Sequence, residues 1–153
     1  MEFETTAQKT CHEKVAQWMN ELFTDVPWEP LDGEPGFGLF MGSAWAEVHV
    51  YPWGEDDSVV NIRSVVVSGA DLKTDLPQFL LRENAELRFG AFALNDAGDV
   101  LFEHTIVGST CDPNELEASV REVLETSDDY DDKIVERWGG QRELDSTLRC
   151  TYE

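Results

Sequence analysis

"SAWAEVHVYPW", Ser43 to Trp53, alternates small or branched apolar residues with aromatic and charged ones. Side chains alternate across a β-strand, so Ala46, Val48 and Val50 fall on one side and Trp45, Glu47, His49 and Tyr51 on the other. One face is therefore a core face, and the opposite one mixes aromatic and polar groups. The next run repeats the division, setting Val60, Ile62 and Val66 against Val59, Asn61, Arg63 and Val65. This period of two holds from Phe37 to Val67, with turn signals at Gly42-Ser43 and from Pro52 to Asp57. Three antiparallel strands joined as a meander are expected there.

Upstream the period is helical. Ala7, Cys11, Val15, Trp18 and Leu22 share one face of a helix from about Thr5 to Phe23. "DVPWEPLDGEPG", Asp25 to Gly36, is too rich in proline and glycine to propagate a helix and reads as a connection. "GFG", Gly36 to Gly38, reads as a loop leading into the first strand. Downstream, Thr74 is placed to cap a second, short and apolar helix running from Leu76 to Leu87, and two further strands are expected at Arg88 to Leu94 and Val100 to Val107. Asp112, Pro113 and Glu115 form an N-terminal capping signal for a long last helix, which Gly139-Gly140 ends. Within it, Ser127, Asp128 and Asp129 compete locally for backbone hydrogen bonds, so a kink or break is expected in "ETSDDYDDK". The fold class is α+β: a five-stranded antiparallel sheet and three helices in the order α-β-β-β-α-β-β-α.

Composition narrows the partners. A chain of 153 residues can bury about two thirds of its unfolded surface in one core. Thirty-two acidic residues against 11 Lys and Arg give a formal charge of -21, a field that repels phosphate backbones and anionic lipid. Nucleic acid and membranes are thus not expected partners, whereas a basic protein segment would be attracted. The first residues lack the basic and apolar regions of a signal peptide, and a cytoplasmic location is expected. Cys11, Cys111 and Cys150 are widely separated and fit neither a disulfide framework nor a zinc knuckle.

Motifs that carry chemistry are few. "LNDAGDV", Leu94 to Val100, holds Asn95, Asp96 and Asp99, but lacks the ligand spacing of a calcium loop and suits a type I turn with Gly98 in the left-handed region. His12, His49 and His104 form no HxxxH or HExxH pair, and His104 cannot share a site directly with its strand neighbour Glu103. No GxSxG elbow, SxxK pair, GxGxxG or phosphate-binding GxxxxGK[ST] is present. Neither a cofactor nor a metal is expected, and the chain is read as no enzyme.

The element order is that of the class I type III secretion chaperones and of the bacterial YbjN-like proteins. "LPQFLLRENAELRFGAFALNDAGDVLFEHTIVGSTCDPNELEASVREVL", Leu76 to Leu124, resembles the YbjN-like segment in which a helix leads to an "FG.F" strand, an acidic Gly turn, a "V.FEHT" strand and an acid-capped helix. The resemblance implies a single chaperone-like domain over residues 1–153, in which the weak periodicity of "QRELDSTLRCTYE" marks 141–153 as a partly mobile tail. It also implies a module that often dimerises and, in the secretion chaperones, holds an extended partner peptide along apolar patches. No catalytic residue follows from it.

From the residues themselves, the mixed face bearing Trp45, Tyr51, Arg63 and Val65 either accepts an extended segment or a second protomer, or lies beneath helices. Phe79, Leu80 and Leu81 occupy consecutive directions around the second helix and cannot all face one core, so Phe79 and Leu81 join the candidate binding residues and a homodimer is expected. The leading expectation is a non-enzymatic protein- or peptide-binding module, chaperone-like or regulatory. One regulatory form would dock its acidic last helix on a basic surface. The alternative is a ligand sensor or enzyme with a site assembled from distant residues such as Glu47, His49 and Arg63.

Overall fold

A computed structural model describes residues 1–145. The elements are α1 (Thr6–Leu22), β1 (Trp28–Pro30), β2 (Gly36–Met41), β3 (Ala44–Trp53), β4 (Asp57–Val67), α2 (Leu76–Glu86), β5 (Ala91–Leu94), β6 (Val100–Val107), a short 3-10 helix not expected from the sequence (Gly108–Thr110) and the long α3 (Pro113–Trp138). The strands form one antiparallel sheet of six, in the order β1-β2-β3-β4-β6-β5. The α+β class and the antiparallel sheet are as expected, but the strand count is not.

The additional strand is β1, inside the proline-rich connection. Trp28, Glu29 and Pro30 pair with Leu39, Gly38 and Phe37 at the sheet's edge. A proline has no N–H for a ladder, which an edge position tolerates, and three residues are too few to show a period. Glycines 36 and 38 are likewise in β2 rather than in a loop before it. Strand β5 is shorter than expected: Gly90 turns with φ +70, and its N–H donates to His104 Nδ1 at 3.1 Å, so pairing begins only at Ala91. Asn84 of α2 then accepts from the Phe92 N–H at 2.7 Å and donates to its carbonyl at 3.2 Å, occupying the free side of that edge strand.

The alternation in β3 and β4 sorts the two faces as expected. Ala46, Val48, Val50, Val60 and Ile62 are fully buried, in one core with Val15 and Met19 of α1 and Leu116, Val120, Val123 and Leu124 of α3. On α1, Ala7, Trp18 and Leu22 are only half-buried, while Gln8 is buried. The Gln8 amide is satisfied there: it donates to the Val50 carbonyl at 2.9 Å and accepts from the Glu4 N–H at 2.8 Å. Thr5 caps this helix, accepting from the Gln8 N–H at 3.1 Å.

The last helix starts on the expected cap, Asp112 accepting from the Glu115 N–H at 2.7 Å. It then runs 26 residues without the break expected in "ETSDDYDDK". Several of the polar side chains there bond across the molecule, although Asp131 also accepts from the Asp132 N–H at 2.6 Å. Ser127 Oγ lies 2.7 Å from Ser64 Oγ, and Asp128 accepts from both the N–H and the hydroxyl of Ser43, at 2.9 and 2.7 Å. The same hydroxyl makes a short contact with Asp131, a residue only 1% exposed. Burial pushes the Asp131 carboxyl above its ordinary range; the Ser43 and Asp132 bonds oppose that shift, and the charges of Asp132 and Asp128 add to it.

Between β5 and β6 the Asn95 to Asp99 segment is a hydrogen-bonded turn. The Gly98 N–H donates to the Asn95 carbonyl at 3.0 Å, Gly98 has φ +82, and the Asn95 side chain accepts from the Asp99 N–H at 2.9 Å. Past α3, Gln141 exchanges two backbone hydrogen bonds with Ser68, and Arg142 pairs with Asp132 and Asp145. Of the expected tail, Gln141, Arg142 and Asp145 make these contacts, and 146–153 lie outside the described residues.

Candidate functional site

The three long helices lie on the inner side of the sheet. Both α1 and α3 contribute to the core above β3 and β4, and α2 packs Phe79 against Tyr130 and Trp138 of α3, with ring centroids 6.4 and 4.9 Å apart. Of the alternatives left open for the mixed face, coverage by these helices is thereby removed. This outer face holds a shallow cavity of about 170 Å³ lined by Trp45, Glu47, His49 and Tyr51 of β3 and by Asn61, Arg63 and Val65 of β4. Tyr51 is 43% exposed and Trp53, at the end of the same strand, 58%.

The register explains the grouping. Glu47 pairs with Arg63, His49 with Asn61 and Tyr51 with Val59, so residues of one parity on β3 meet residues of the matching parity on β4. Glu47 accepts from Trp45 Nε1 at 3.1 Å and lies 2.9 Å from His49 Nε2, while the His49 and Tyr51 rings stack at 5.5 Å. Burial pushes the Glu47 carboxyl up, but the His49 and Trp45 bonds outweigh it, and the group ends below its ordinary range. Burial also raises the Tyr51 phenol; the Arg63 charge opposes this and the carboxylates of Glu34, Glu47 and Glu103 reinforce it. Arg63 is bound sideways, donating from Nε to Glu103 at 2.8 Å.

Trp45, Tyr51, Arg63 and Val65 are thus brought together. Phe79 and Leu81 are elsewhere, and the two part company on α2. Phe79 is half-buried against α3, whereas Leu81 is 71% exposed. Leu81 borders a second, apolar groove of about 240 Å³, formed with Pro77 and Leu80 on one side and Phe92, Ala93 and Leu94 on the other.

The constellation of Glu47, His49 and Arg63 does assemble on one face, with Glu47 and His49 bonded to each other and Arg63 engaged by Glu103. His12 is set apart, stacked on Phe37 at 5.2 Å, and burial lowers its affinity for a proton. His104 accepts from Gly90 while its neighbour Glu103 turns to Arg63, as strand alternation requires. Cys11 and Cys111 are both buried, and burial pushes the Cys111 thiol up to about 12, with Glu115 and then Cys11 adding to the shift.

Gly38 is a site residue that the sequence reading missed. A Cβ at this position would lie 2.0 Å from the Trp45 indole, so the ring lies across β2 only because position 38 carries no side chain. A glycine inside a period-two run, facing the mixed side, is the signal that marks it. Glu34 was also missed, because it belongs to the proline-rich connection; its carboxylate is 3.8 Å from His49 Nδ1.

Among the described residues, the long helices back one face of the antiparallel sheet and leave its aromatic face uncovered. Over residues 9–146 the sequence matches the family TY-Chap1, described as the T3SS (YopN, CesT) and YbjN peptide-binding chaperone 1. The chain belongs to this family of peptide-binding chaperones. A chain in the crystal structure of the ExsC–ExsE complex shares the fold, with a TM-score of 0.59 at 14% identity, over 85% of this chain and 96% of that one. No match is found among curated proteins. Among the described residues, no helix is long and apolar enough to cross a membrane.

Proposed function

We propose that this chain is a single-domain, non-enzymatic chaperone of the cytoplasm that holds an extended segment of another protein on the outer face of its sheet. The observation that carries this reading is the aromatic depression between Trp45, Tyr51 and Val65, which α1, α2 and α3 all leave open. An extended segment suits such a surface because its alternate side chains can enter the depression while its backbone runs along the strands. Family membership supplies the ligand class, and the fold is shared with a protein solved as a two-protein complex. The test is affinity capture from native lysate with the parent chain and with Trp45→Ala and Val65→Asp variants shown to be folded by circular dichroism. A set of proteins held by the parent and lost by both variants supports the site. Identical capture by all three overturns it.

The same reading includes a homodimer formed through the groove between α2 and β5. Leu81 at 71% exposure and Leu94 at 43% are apolar groups that a second copy would remove from water. At a formal charge of -21 per chain, repulsion opposes association, and raised salt strengthens the dimer by screening it. Sedimentation equilibrium at low and moderate salt, with Leu81→Asp as control, measures this. A species at 17.3 kDa in both conditions at tens of micromolar excludes the dimer.

A further inference from the structure

The outer-face depression does not end at Tyr51. His49 and Tyr51 also line a second, wider cavity of about 420 Å³, reached over the stacked pair of rings. Glu2, Glu4 and Glu34 line it together with Gln8, Pro35 and Pro52, and among the described residues no lysine or arginine does. The two cavities meet at His49 and Tyr51, and an extended occupant crossing that pair of rings would use them as one groove with opposed ends. One end is acidic. The other is floored by Trp45 and Val65, where Arg63, the one cation among the described lining residues, is already engaged by Glu103.

The chemistry of an occupant follows from those ends. Glu34 lies 3.8 Å from one nitrogen of His49 and Glu47 2.9 Å from the other, so the ring stands between two carboxylates beside the exposed face of Tyr51. A planar guanidinium can lie on an aromatic ring and bond a carboxylate edge-on at once, which a compact ammonium cannot do as well. In an extended segment, neighbouring residues of one parity reach the same surface, so an arginine at the acidic end places an apolar side chain toward Trp45 and Val65. An acidic segment is excluded at the same place by like charge.

Resting on the outer face as the peptide site, we infer that the groove selects a basic extended segment, with an arginine over Tyr51 against Glu34 and an apolar side chain in the Trp45–Val65 depression. The occupant is a stretch of another protein. A second copy of this chain is poorly suited, having 11 Lys and Arg against 32 acidic residues.

Fluorescence anisotropy with two labelled decapeptides tests the inference. One carries arginine and leucine in turn at every second position, with serine between them so that both kinds of side chain share one face, and the other carries citrulline, the neutral isostere, at each arginine. The arginine peptide is expected to bind the parent chain about tenfold more tightly than the citrulline peptide. That ratio should fall to about two or less in Glu34→Gln/Glu4→Gln. It should persist in Glu122→Gln/Glu125→Gln, which removes the same charge from the exposed side of α3. Both peptides should be lost from Trp45→Ala. Equal binding of the two peptides, still abolished by Trp45→Ala, overturns the basic preference and leaves the face as the site. An equal loss of the ratio in both double variants shows only the general field and also overturns it. Binding indifferent to Trp45→Ala removes the site reading and the inference together, and no binding of either peptide overturns the inference.

Discussion

Ile62 and Arg63 are neighbours in β4, yet they belong to different kinds of surface. Ile62 is fully buried beneath the helices, in a core drawn from α1, α2, α3 and five of the strands. Arg63 faces outward with half its side chain exposed, held by one carboxylate across the sheet. The inner face is fixed by shape, since a close-packed core has few other arrangements, while the outer face is fixed by paired polar groups and rings that water can still reach. A surface of the second kind can exchange its neighbours for those of a ligand without unfolding the sheet.

The sharpest way to break this comparison is to truncate both residues. Ile62→Ala is expected to cost about 3 kcal/mol, because it removes buried methyl groups and leaves a void. Urea unfolding measures it; a cost below about 1 kcal/mol would place β4 outside the core.

Next in size is Ser43→Ala, expected to cost about 2 kcal/mol by removing the hydroxyl shared by Asp128 and Asp131. The same cluster predicts a pH dependence. With its folded-state affinity for a proton raised above the ordinary 3.8, Asp131 contributes stability that is full below that value and lost as pH rises through the folded one. Asp131→Asn, which keeps a donor toward Ser43 at every pH, should flatten that fall in stability. A fall of the same size in parent and variant would assign the dependence to other groups.

Gly98→Val should cost about 1–2 kcal/mol, since a β-branched residue resists the positive φ of this turn. Its thermal midpoint sharpens the comparison, because the turn sets which side chains of β5 and β6 face inward. Smallest is Arg63→Ala, at less than about 1 kcal/mol, as the pair with Glu103 is half-exposed. A loss approaching that of Ile62→Ala would mean that the outer face is part of the core.

How far these surfaces were legible depended on whether the determining contact was local. Alternation from Phe37 to Val67 carries the inner and outer parity, because side chains on a strand cannot choose their side independently. The Asp112 cap and the Gly98 turn were readable for the same reason, each being complete within a few residues. Strand β1 was not, since its pairing with β2 substitutes for a pattern that three residues cannot show.

The unbroken course of α3 belongs to the contacts as well. Ser127, Asp128 and Asp131 oppose a helix in isolation, and Ser64 and Ser43, 63 to 88 positions away in the chain, give their side chains distant partners inside an unbroken helix. The candidate site divides along the same line. Trp45, Tyr51, Arg63 and Val65 could be grouped from strand parity alone, whereas Gly38 and Glu34 join them through neighbours in β2 and the connection before it. By itself, then, the sequence determined which side chains share a face, because strand geometry is local. Which face the helices cover was decided by the tertiary structure alone, because α1, α2 and α3 settle on one side through packing that no single segment encodes.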